Sequence, residues 1–320
     1  MNTQILKGFS FTLIAAVLWG ASGTFGQFLF QQRGINVEWL ITVRMLVSGF
    51  CLLLFGWMRE KTAIFSVWRN RKDALQMIAF SLGGMLAVQY TYFAAIRHSN
   101  AATATVLQYA GPVIIAVYLA FKYRRIPAPA ELLAVILAAL GVFLLVTHGN
   151  IHTLAISRMA LFLGLAAAVA LAVYTLQPVK LLSKYNSLVV TGWGMFCGGF
   201  AFSFVKAPWN MEGQWDGKTF LYTGLIIVFG TLIGFYLYMT AVKIIGAQKA
   251  SLLASAEPLA ATVLAVWWLN TPFLAMDWIG SFCIIITVFL LGRNIPQNGF
   301  TSAGSTAPGK LNTSMNRYGK

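Results

Sequence analysis

The chain alternates between long apolar runs and short polar connections. Ten of its runs approach the length of about 20 mostly apolar residues that a helix needs to cross a membrane. This pattern predicts an all-α membrane protein with ten transmembrane helices. The first run is too long for the apolar part of a signal peptide and is expected to be a retained helix. The runs lie at residues 9–29, 37–57, 74–96, 101–121, 130–147, 159–181, 187–206, 219–242, 248–269 and 275–292.

Composition supports a membrane protein and excludes most soluble classes. Hydrophobic residues make up 58% of the 320 residues and charged residues only 10%, whereas soluble domains carry about 25% charged residues. Most cytosolic enzymes and secreted scaffolds are therefore excluded. The segment 294–320 is instead rich in Gly, Ser, Thr, Asn and Pro, which predicts a disordered cytoplasmic tail.

The basic residues are distributed unevenly between the two sides of the membrane. The net charge is +15, but the Lys and Arg residues separate apolar runs and form no continuous basic stripe, so nucleic-acid binding is not expected. With the N-terminus inside, 17 of the 23 basic residues fall in inner segments and 5 in outer segments. The positive-inside rule then predicts a multi-pass protein of the cytoplasmic (plasma) membrane with both termini in the cytoplasm.

The second half of the chain repeats the first at an offset of 146 residues. Each half then holds five spans, and because five is odd, the second half enters the membrane upside down. Inverted repeats of this kind are typical of secondary transporters, which bind their substrate near the midplane and work by alternating access. The matched positions include Tyr90 and Tyr236, Tyr92 and Tyr238, Ala95 and Ala241, Pro112 and Pro258, and the string VFLL at 142–145 and 288–291.

Several motifs carry a family resemblance. They are Trp19-Gly20 within AAVLWGASGTF, Arg44 within TVRMLVSG, and Glu257-Pro258 within GAQKASLLASAEPLAATVLAVWW. With these motifs the chain resembles the EamA-type, ten-helix members of the drug/metabolite transporter superfamily. The resemblance implies EamA-type five-helix repeats at 8–147 and 158–293. It also implies a membrane transporter, more often an exporter, of amino acids and other metabolites.

Glu257 is the candidate with the clearest chemistry, because a carboxylate at bilayer depth is costly unless it is paired, hydrated or protonated. It could bind a proton or a cationic amine. Alternatively, it could serve the backbone carbonyl that Pro258 frees. Arg44 lies within the second span and could pair with Glu257, bind a substrate carboxylate, or extend to the outer interface.

Other deep side chains are candidates for the walls of a substrate cavity. Pro112 and Pro258 occupy matching positions and are expected to be gating hinges, with static kinks as the alternative. The glycine pairs Gly194-xxx-Gly198 and Gly230-xxx-Gly234 favour close helix packing inside the protein. The cavity candidates, besides Glu257 and Arg44, are Trp19, Gln89, Tyr90, Gln108, Tyr109, Trp193 and Tyr236.

Enzyme motifs, a phosphate-binding loop and metal-ligand spacings are absent from the sequence, so we expect no catalytic residues, no cofactor and no metal. The sequence therefore predicts a secondary-active transporter of small amphipathic metabolites, with an amino-acid or metabolite exporter that works by alternating access as the leading hypothesis. An organic-cation or multidrug transporter, a lipid-carrier flippase and a non-transporting membrane scaffold stay open as alternatives. The expected partners are a small-molecule substrate and the lipid bilayer; protons, and a monomer or a homodimer, are left open.

Overall fold

A computed structural model describes residues 3–124, 126, 129–149 and 155–293, and the predicted tail at 294–320 lies outside them. The described part of the chain is built from helices and connections, with no strand. We number ten helices in chain order. They are α1 (Thr3–Gln32), α2 (Val37–Arg69), α3 (Arg71–His98), α4 (Ala101–Lys122), α5 (Pro129–Thr147), α6 (Arg158–Lys184), α7 (Ser187–Phe202), α8 (Gly217–Ile245), α9 (Ala247–Leu269) and α10 (Ala275–Arg293).

Seven of these helices, α1–α4, α6, α8 and α9, are long and apolar enough to cross a membrane. The other three contain shorter apolar stretches at Leu132–Thr147, Ser187–Phe202 and Ala275–Thr287. The prediction of an all-α, multi-pass membrane protein is therefore confirmed. The count of ten spans stays a prediction, because it requires the three shorter stretches to cross as well.

Polar caps fix where several helices begin. The side chain of Asn36 accepts from the amide of Trp39 at 2.9 Å, and Asn100 accepts from the amide of Thr103 at 2.8 Å. Such caps satisfy amides that the first helical turn leaves without a partner. They explain why α2 and α4 start where the apolar runs at 37 and 101 start.

Asp216 caps α8 in the connection that precedes it. Its carboxylate accepts from the Thr219 amide at 2.8 Å and from the Thr219 hydroxyl at 2.8 Å, and it pairs with Arg33 at 3.2 Å. The hydrogen bonds from Thr219, followed by the charge of Arg33, lower the pKa of Asp216 below its ordinary value. The connection from α7 to α8 is thereby attached to the end of α1.

Besides the 3₁₀ segment Lys61–Phe65 in α2 and the interruption after Leu176 in α6, four helices carry irregularities that recur along the chain. A π-helical segment at Phe80–Leu86 interrupts α3, and another at Ile226–Ile233 interrupts α8. α4 is interrupted after Gln108 and resumes at Gly111, and α9 is interrupted after Leu253 and resumes at Ala256. The start of each irregularity in the second half lies 145 or 146 residues after its counterpart.

Glycines bring α1 into direct contact with α8 and α9. A Cβ atom on Gly20 would lie 2.8 Å from the Ala261 amide nitrogen. Gly230 faces Ser22, and a Cβ on Gly234 would lie 2.9 Å from the Trp19 indole nitrogen. Gly230-xxx-Gly234 therefore packs inside the protein, as predicted. Gly194-xxx-Gly198 does the same against side chains of α2 and α3, among them Phe80 and Met45.

α5 and α10 pack along each other. A Cβ on Gly141 would lie 2.7 Å from the Gly280 carbonyl oxygen, and one on Gly280 would lie 2.8 Å from the Gly141 carbonyl oxygen. The two backbones therefore touch with no side chain between them. Beyond this contact, His148 Nε2 lies 2.9 Å from the Asp277 carboxylate.

Candidate functional site

Seven helices surround a cavity in the interior of the bundle. Its volume of about 30 Å³ exceeds the 10–15 Å³ that one water molecule needs, and it is far smaller than the usual ligand site of about 300–1,000 Å³. In this conformation the cavity is therefore too small to hold a metabolite. The lining residues are Trp19 and Ser22 from α1, Arg44 from α2, Val88, Gln89, Tyr92 and Phe93 from α3, Gln108 from α4, Leu171 and Tyr174 from α6, Phe235 from α8, and Glu257 from α9.

Polar contacts close the bundle on both sides of the cavity. Where α3 begins and α6 ends, Gln76 and Gln177 exchange amide-to-carbonyl hydrogen bonds of 3.1 and 2.8 Å. On the other side, the side chain of Gln27 in α1 donates to the hydroxyl of Thr271, just after α9, at 3.0 Å. It also accepts from the amide of Ala101, at the start of α4, at 2.8 Å. These hydrogen bonds join α3 to α6 on one side and α1 to α4 and to the connection after α9 on the other.

Glu257 lies at the start of the second segment of α9, and only 4% of it is exposed. The hydroxyl of Tyr109 donates to its carboxylate at 3.0 Å, and the Tyr92 hydroxyl lies close by. Among the described residues, no Lys, Arg or His lies within 4.0 Å of this carboxylate. Glu257 is thus a buried acid held by tyrosines and without a cation.

The backbone carbonyl that Pro258 frees is that of Ala254, four residues earlier. Tyr109 donates to this carbonyl, and the Glu257 amide also donates to it at 2.9 Å. Its hydrogen-bonding needs are met without the Glu257 side chain. The purely structural explanation for Glu257 therefore finds no support in these contacts, and Tyr109 performs that function instead.

Arg44 is the largest fully buried side chain, with 1% exposure. Its Nε donates to the Thr231 hydroxyl at 2.8 Å, and its guanidinium carbon lies 4.3 Å from the centre of the Phe93 ring. Its Nη1 is buried without a hydrogen-bond partner. Arg44 neither extends to the membrane interface nor pairs with Glu257, so two of its three predicted roles do not apply in this conformation.

The cavity also contains polar atoms that lack partners. Both the Nε2 and Oε1 atoms of Gln89 are buried without a hydrogen bond, and so are Ser22 Oγ and the Tyr174 hydroxyl. Such orphans are rare in native proteins, where nearly all buried polar atoms are satisfied. Water or a polar ligand in the cavity would supply the missing partners of Gln89.

Aromatic rings form much of the remaining wall. Trp19 lies 4.9 Å from Phe235, and Tyr174 lies 5.6 Å from Phe235, measured between ring centres. Tyr92 packs edge-on against Phe93 at 5.4 Å. The wall thus combines apolar faces with a few polar groups, as ligand pockets commonly do.

Five of the nine predicted cavity residues line this space: Glu257, Arg44, Trp19, Gln89 and Gln108. Tyr109 lies behind the wall and reaches Glu257 through its hydroxyl. Both predicted hinges, Pro112 and Pro258, follow directly on the helix interruptions.

Three predicted residues lie away from the cavity. Tyr90 packs against Phe202 at 5.4 Å, and Tyr236 is partly buried against the core. The indole of Trp193 donates to the Ile64 carbonyl at 2.9 Å and contacts Trp68. Tyr90 and Trp193 thus face other helices, and Trp193 lies beside the last part of α2.

Other lining residues were not among the predicted candidates. Ser22 lies one turn after Trp19 on the same helix face, so helical spacing could have identified it. Tyr174 lies in an alanine-rich stretch of α6 with no repeat partner to mark it. Thr231 contacts Arg44 from within a π-helical segment, which residue spacing alone does not reveal.

The charged and amide groups of the cavity are unequally divided between the two halves of the sequence. Arg44, Gln89 and Gln108 belong to the first half, and the positions 146 residues later hold Val190, Phe235 and Ala254. Glu257 belongs to the second half, and its counterpart is Gly111. The chain therefore repeats its helix irregularities but not its polar chemistry.

No group of three or more His, Cys, Asp or Glu side chains suited to a metal ion occurs among the residues described. The three cysteines, Cys51, Cys197 and Cys283, are free. The chemistry of the site is thus that of charged, amide and aromatic side chains.

Comparison with known proteins places these features in a family. A profile of the EamA-like transporter family matches residues 6–147 and 158–293. The chain is 41% identical over 285 residues to the uncharacterized inner membrane transporter YicL of Salmonella typhimurium, covering 89% of this chain and 95% of the relative. It is 26% identical to the uncharacterized transporter YwfM of Bacillus subtilis, covering 88% of this chain and 90% of that relative.

A solved crystal structure shares the fold. It matches with a TM-score of 0.64 at 18% sequence identity, covering 90% of this chain and 97% of the other. At this identity the match concerns the arrangement of the helices alone.

Proposed function

Because the chain belongs to the EamA-like transporter family, it is a membrane transporter and not an enzyme, and we propose that it exports a small amphipathic zwitterion such as an amino acid. The transport is secondary-active and proceeds by alternating access. The export direction is the one more often found in the family that the chain resembles.

The observation that carries this proposal is the pair of opposite, uncompensated charges at one cavity. Glu257 and Arg44 are both buried, both line the space, and form no ion pair with each other. Buried charges are normally paired, since an isolated one is costly. A zwitterion supplies both missing partners, with its ammonium group at Glu257 and its carboxylate at Arg44.

The rest of the wall suits the remainder of such a cargo. The rings of Trp19, Phe235 and Tyr174 offer apolar faces to an aliphatic or aromatic side chain. The unpartnered amide of Gln89 provides one donor group and one acceptor for a further polar group. An organic cation lacking a carboxylate would leave Arg44 uncompensated, so the geometry favours the zwitterion.

Alternating access would follow from two inverted repeats, which we place at 8–147 and 158–293 with ten spans and both termini in the cytoplasm. Support comes from the recurrence of the π-helical segments and of the interrupted helices at an offset of 145 or 146 residues. Support for outward and inward opening comes from the separate sets of contacts at Gln76–Gln177 and Gln27–Thr271.

Coupling to protons would use the same acid. A proton and a cargo ammonium group compete for the Glu257 carboxylate, so binding one favours release of the other. Such competition converts an inward proton gradient into outward movement of cargo.

The experiment uses purified protein in proteoliposomes. A thermal-shift screen of the amino acids first selects the compound that stabilises the protein most. Counterflow of that labelled amino acid is then competed with three matched relatives: its amide, its decarboxylated amine and its deaminated acid. We expect competition by the zwitterion, with the three relatives at least tenfold weaker.

Equal competition by the amine would refute the zwitterion and favour an organic-cation transporter. Equal competition by the deaminated acid, which has no ammonium group, would refute the proposal that Glu257 binds the cargo amine. Absence of a thermal shift and of counterflow for every amino acid would reject the amino-acid proposal as a whole.

A further inference from the structure

We propose that Thr231 is a positioning residue that fixes the Arg44 guanidinium in the orientation that receives the cargo carboxylate. This inference rests on the proposed function, because it assumes that Arg44 is the carboxylate anchor. It adds a residue of α8 that does not line the cavity.

Two contacts orient the guanidinium. Its carbon Cζ lies 4.3 Å from the centre of the Phe93 ring, and its Nε donates to Thr231 Oγ1 at 2.8 Å. The hydrogen bond from Nε fixes which edge of the guanidinium faces α8. Nη1 is left without a protein partner, ready to donate to a carboxylate.

The hydroxyl of Thr231 can accept from Arg44 because its proton is engaged elsewhere. A threonine hydroxyl has one proton and two lone pairs. Thr231 donates its proton to the Ile226 carbonyl, five residues earlier in the π-helical segment, at 2.8 Å. Its lone pairs are therefore available to accept from Nε.

The contact belongs to one half of the chain only. The residue 146 positions before Thr231 is Met85, which lies in the matching π-helical segment Phe80–Leu86. The counterpart of Arg44 is Val190. The same backbone irregularity therefore carries an apolar residue in one half and the hydroxyl in the other, where the arginine needs an acceptor.

Removal of the Thr231 hydroxyl should leave the packing of α2 against α8 in place. One turn along α2, Ser48 donates to the Ile227 carbonyl at 3.1 Å, independently of Thr231. Valine matches threonine in shape but cannot accept from Nε. The variant Thr231→Val thus removes the orientation of Arg44 while keeping the helix contact.

The test measures counterflow by Thr231→Val, Thr231→Ser and Arg44→Gln with the zwitterion selected above and its amide. For Thr231→Val we expect the KM to rise roughly 3- to 10-fold with little change in the maximal rate. This is the expected effect of losing one hydrogen bond to a charged group that other contacts also hold in place. Discrimination between acid and amide should fall by a similar factor. Thr231→Ser, which keeps the hydroxyl, should behave as wild type.

The outcomes separate the inference from the proposed function. If Thr231→Val keeps the wild-type KM and discrimination, while Arg44→Gln raises the KM and abolishes the discrimination, the inference alone is overturned. The inference is also overturned if Thr231→Ser changes the KM and the discrimination as much as Thr231→Val does, because the hydroxyl would then not be sufficient to orient Arg44. Unchanged KM and discrimination in Arg44→Gln would overturn the carboxylate anchor itself. If Thr231→Val is not recovered folded, Thr231→Ala replaces it under the same criteria.

Discussion

Replacing Glu257 by glutamine should weaken cargo binding while leaving the fold intact. The change exchanges one carboxylate oxygen for an amide group of the same size. The remaining oxygen can still accept from Tyr109, as the carboxylate does at 3.0 Å. Because the carboxylate has no cationic partner among the described residues, its loss breaks no ion pair. The melting temperature should therefore stay close to that of the wild type.

The expected loss of affinity follows from the missing charge. A hydrogen bond to a charged group contributes about 1.5–3 kcal/mol, and about 1.4 kcal/mol corresponds to a tenfold change in affinity. The Kd of the cargo should rise roughly 10- to 150-fold. Under the coupling proposed above, transport driven by a pH gradient should disappear as well.

The assay combines titration calorimetry in detergent with pH-driven efflux from proteoliposomes. Glu38→Gln is the matched control, since Glu38 lies in the first turn of α2 and does not line the cavity. It should bind and transport as wild type. A Glu257→Gln protein that binds cargo within threefold of wild type would refute the amine anchor, and one that retains gradient-driven efflux would refute the proton coupling.

Three further changes test the packing, the helix interruption and a connection. Gly20→Ala should lower the free energy of unfolding by about 1–3 kcal/mol, because the new methyl group meets the backbone of α9. Gly83→Ala is the control: a Cβ there meets nothing within 4 Å, so thermal unfolding should show no measurable loss of stability. Tyr109→Phe should lower the melting temperature by an amount equivalent to about 1 kcal/mol, because it removes the donor shared by Glu257 and the freed carbonyl. Asp216→Asn should lower the melting temperature at pH 7, because an acid with a lowered pKa stabilises the protein above its ordinary pKa of about 3.9. This difference should shrink as the pH falls below about 3.9 and the carboxylate is protonated; a difference that does not shrink would contradict this.

Depth along a helix could be predicted from the sequence, and rotation about the helix could not. Glu257 and Arg44 are identified by being charged within apolar runs, which is a one-dimensional property. Whether a neighbour such as Tyr90 faces the cavity depends on the turn of α3. The π-helical segment Phe80–Leu86 widens that turn and shifts the faces that follow it. Gln89 and Tyr90 point about 100° apart as neighbours on a helix, and the sequence alone does not tell which of the two faces the cavity.

The fold shows the same division. Helical class and most helix starts are predictable because apolar runs and asparagine caps are local. The contact of Gly20 with α9 joins residues about 240 positions apart, and nothing in a single sequence identifies the partner of a glycine. Thr231 was missed for the same reason, since its importance comes from Arg44 on another helix.

The contact between Gly141 and Gly280 gives the α5–α10 pair the properties of a pivot. The helices come from opposite halves of the chain, and their backbones touch without intervening side chains. Sliding or separating them would open a gap that no neighbouring group fills, whereas a tilt about the contact keeps the two backbones together. Under the alternating access proposed above, we therefore expect α5 and α10 to tilt about this contact when the cavity opens, with the helix ends farthest from it moving most.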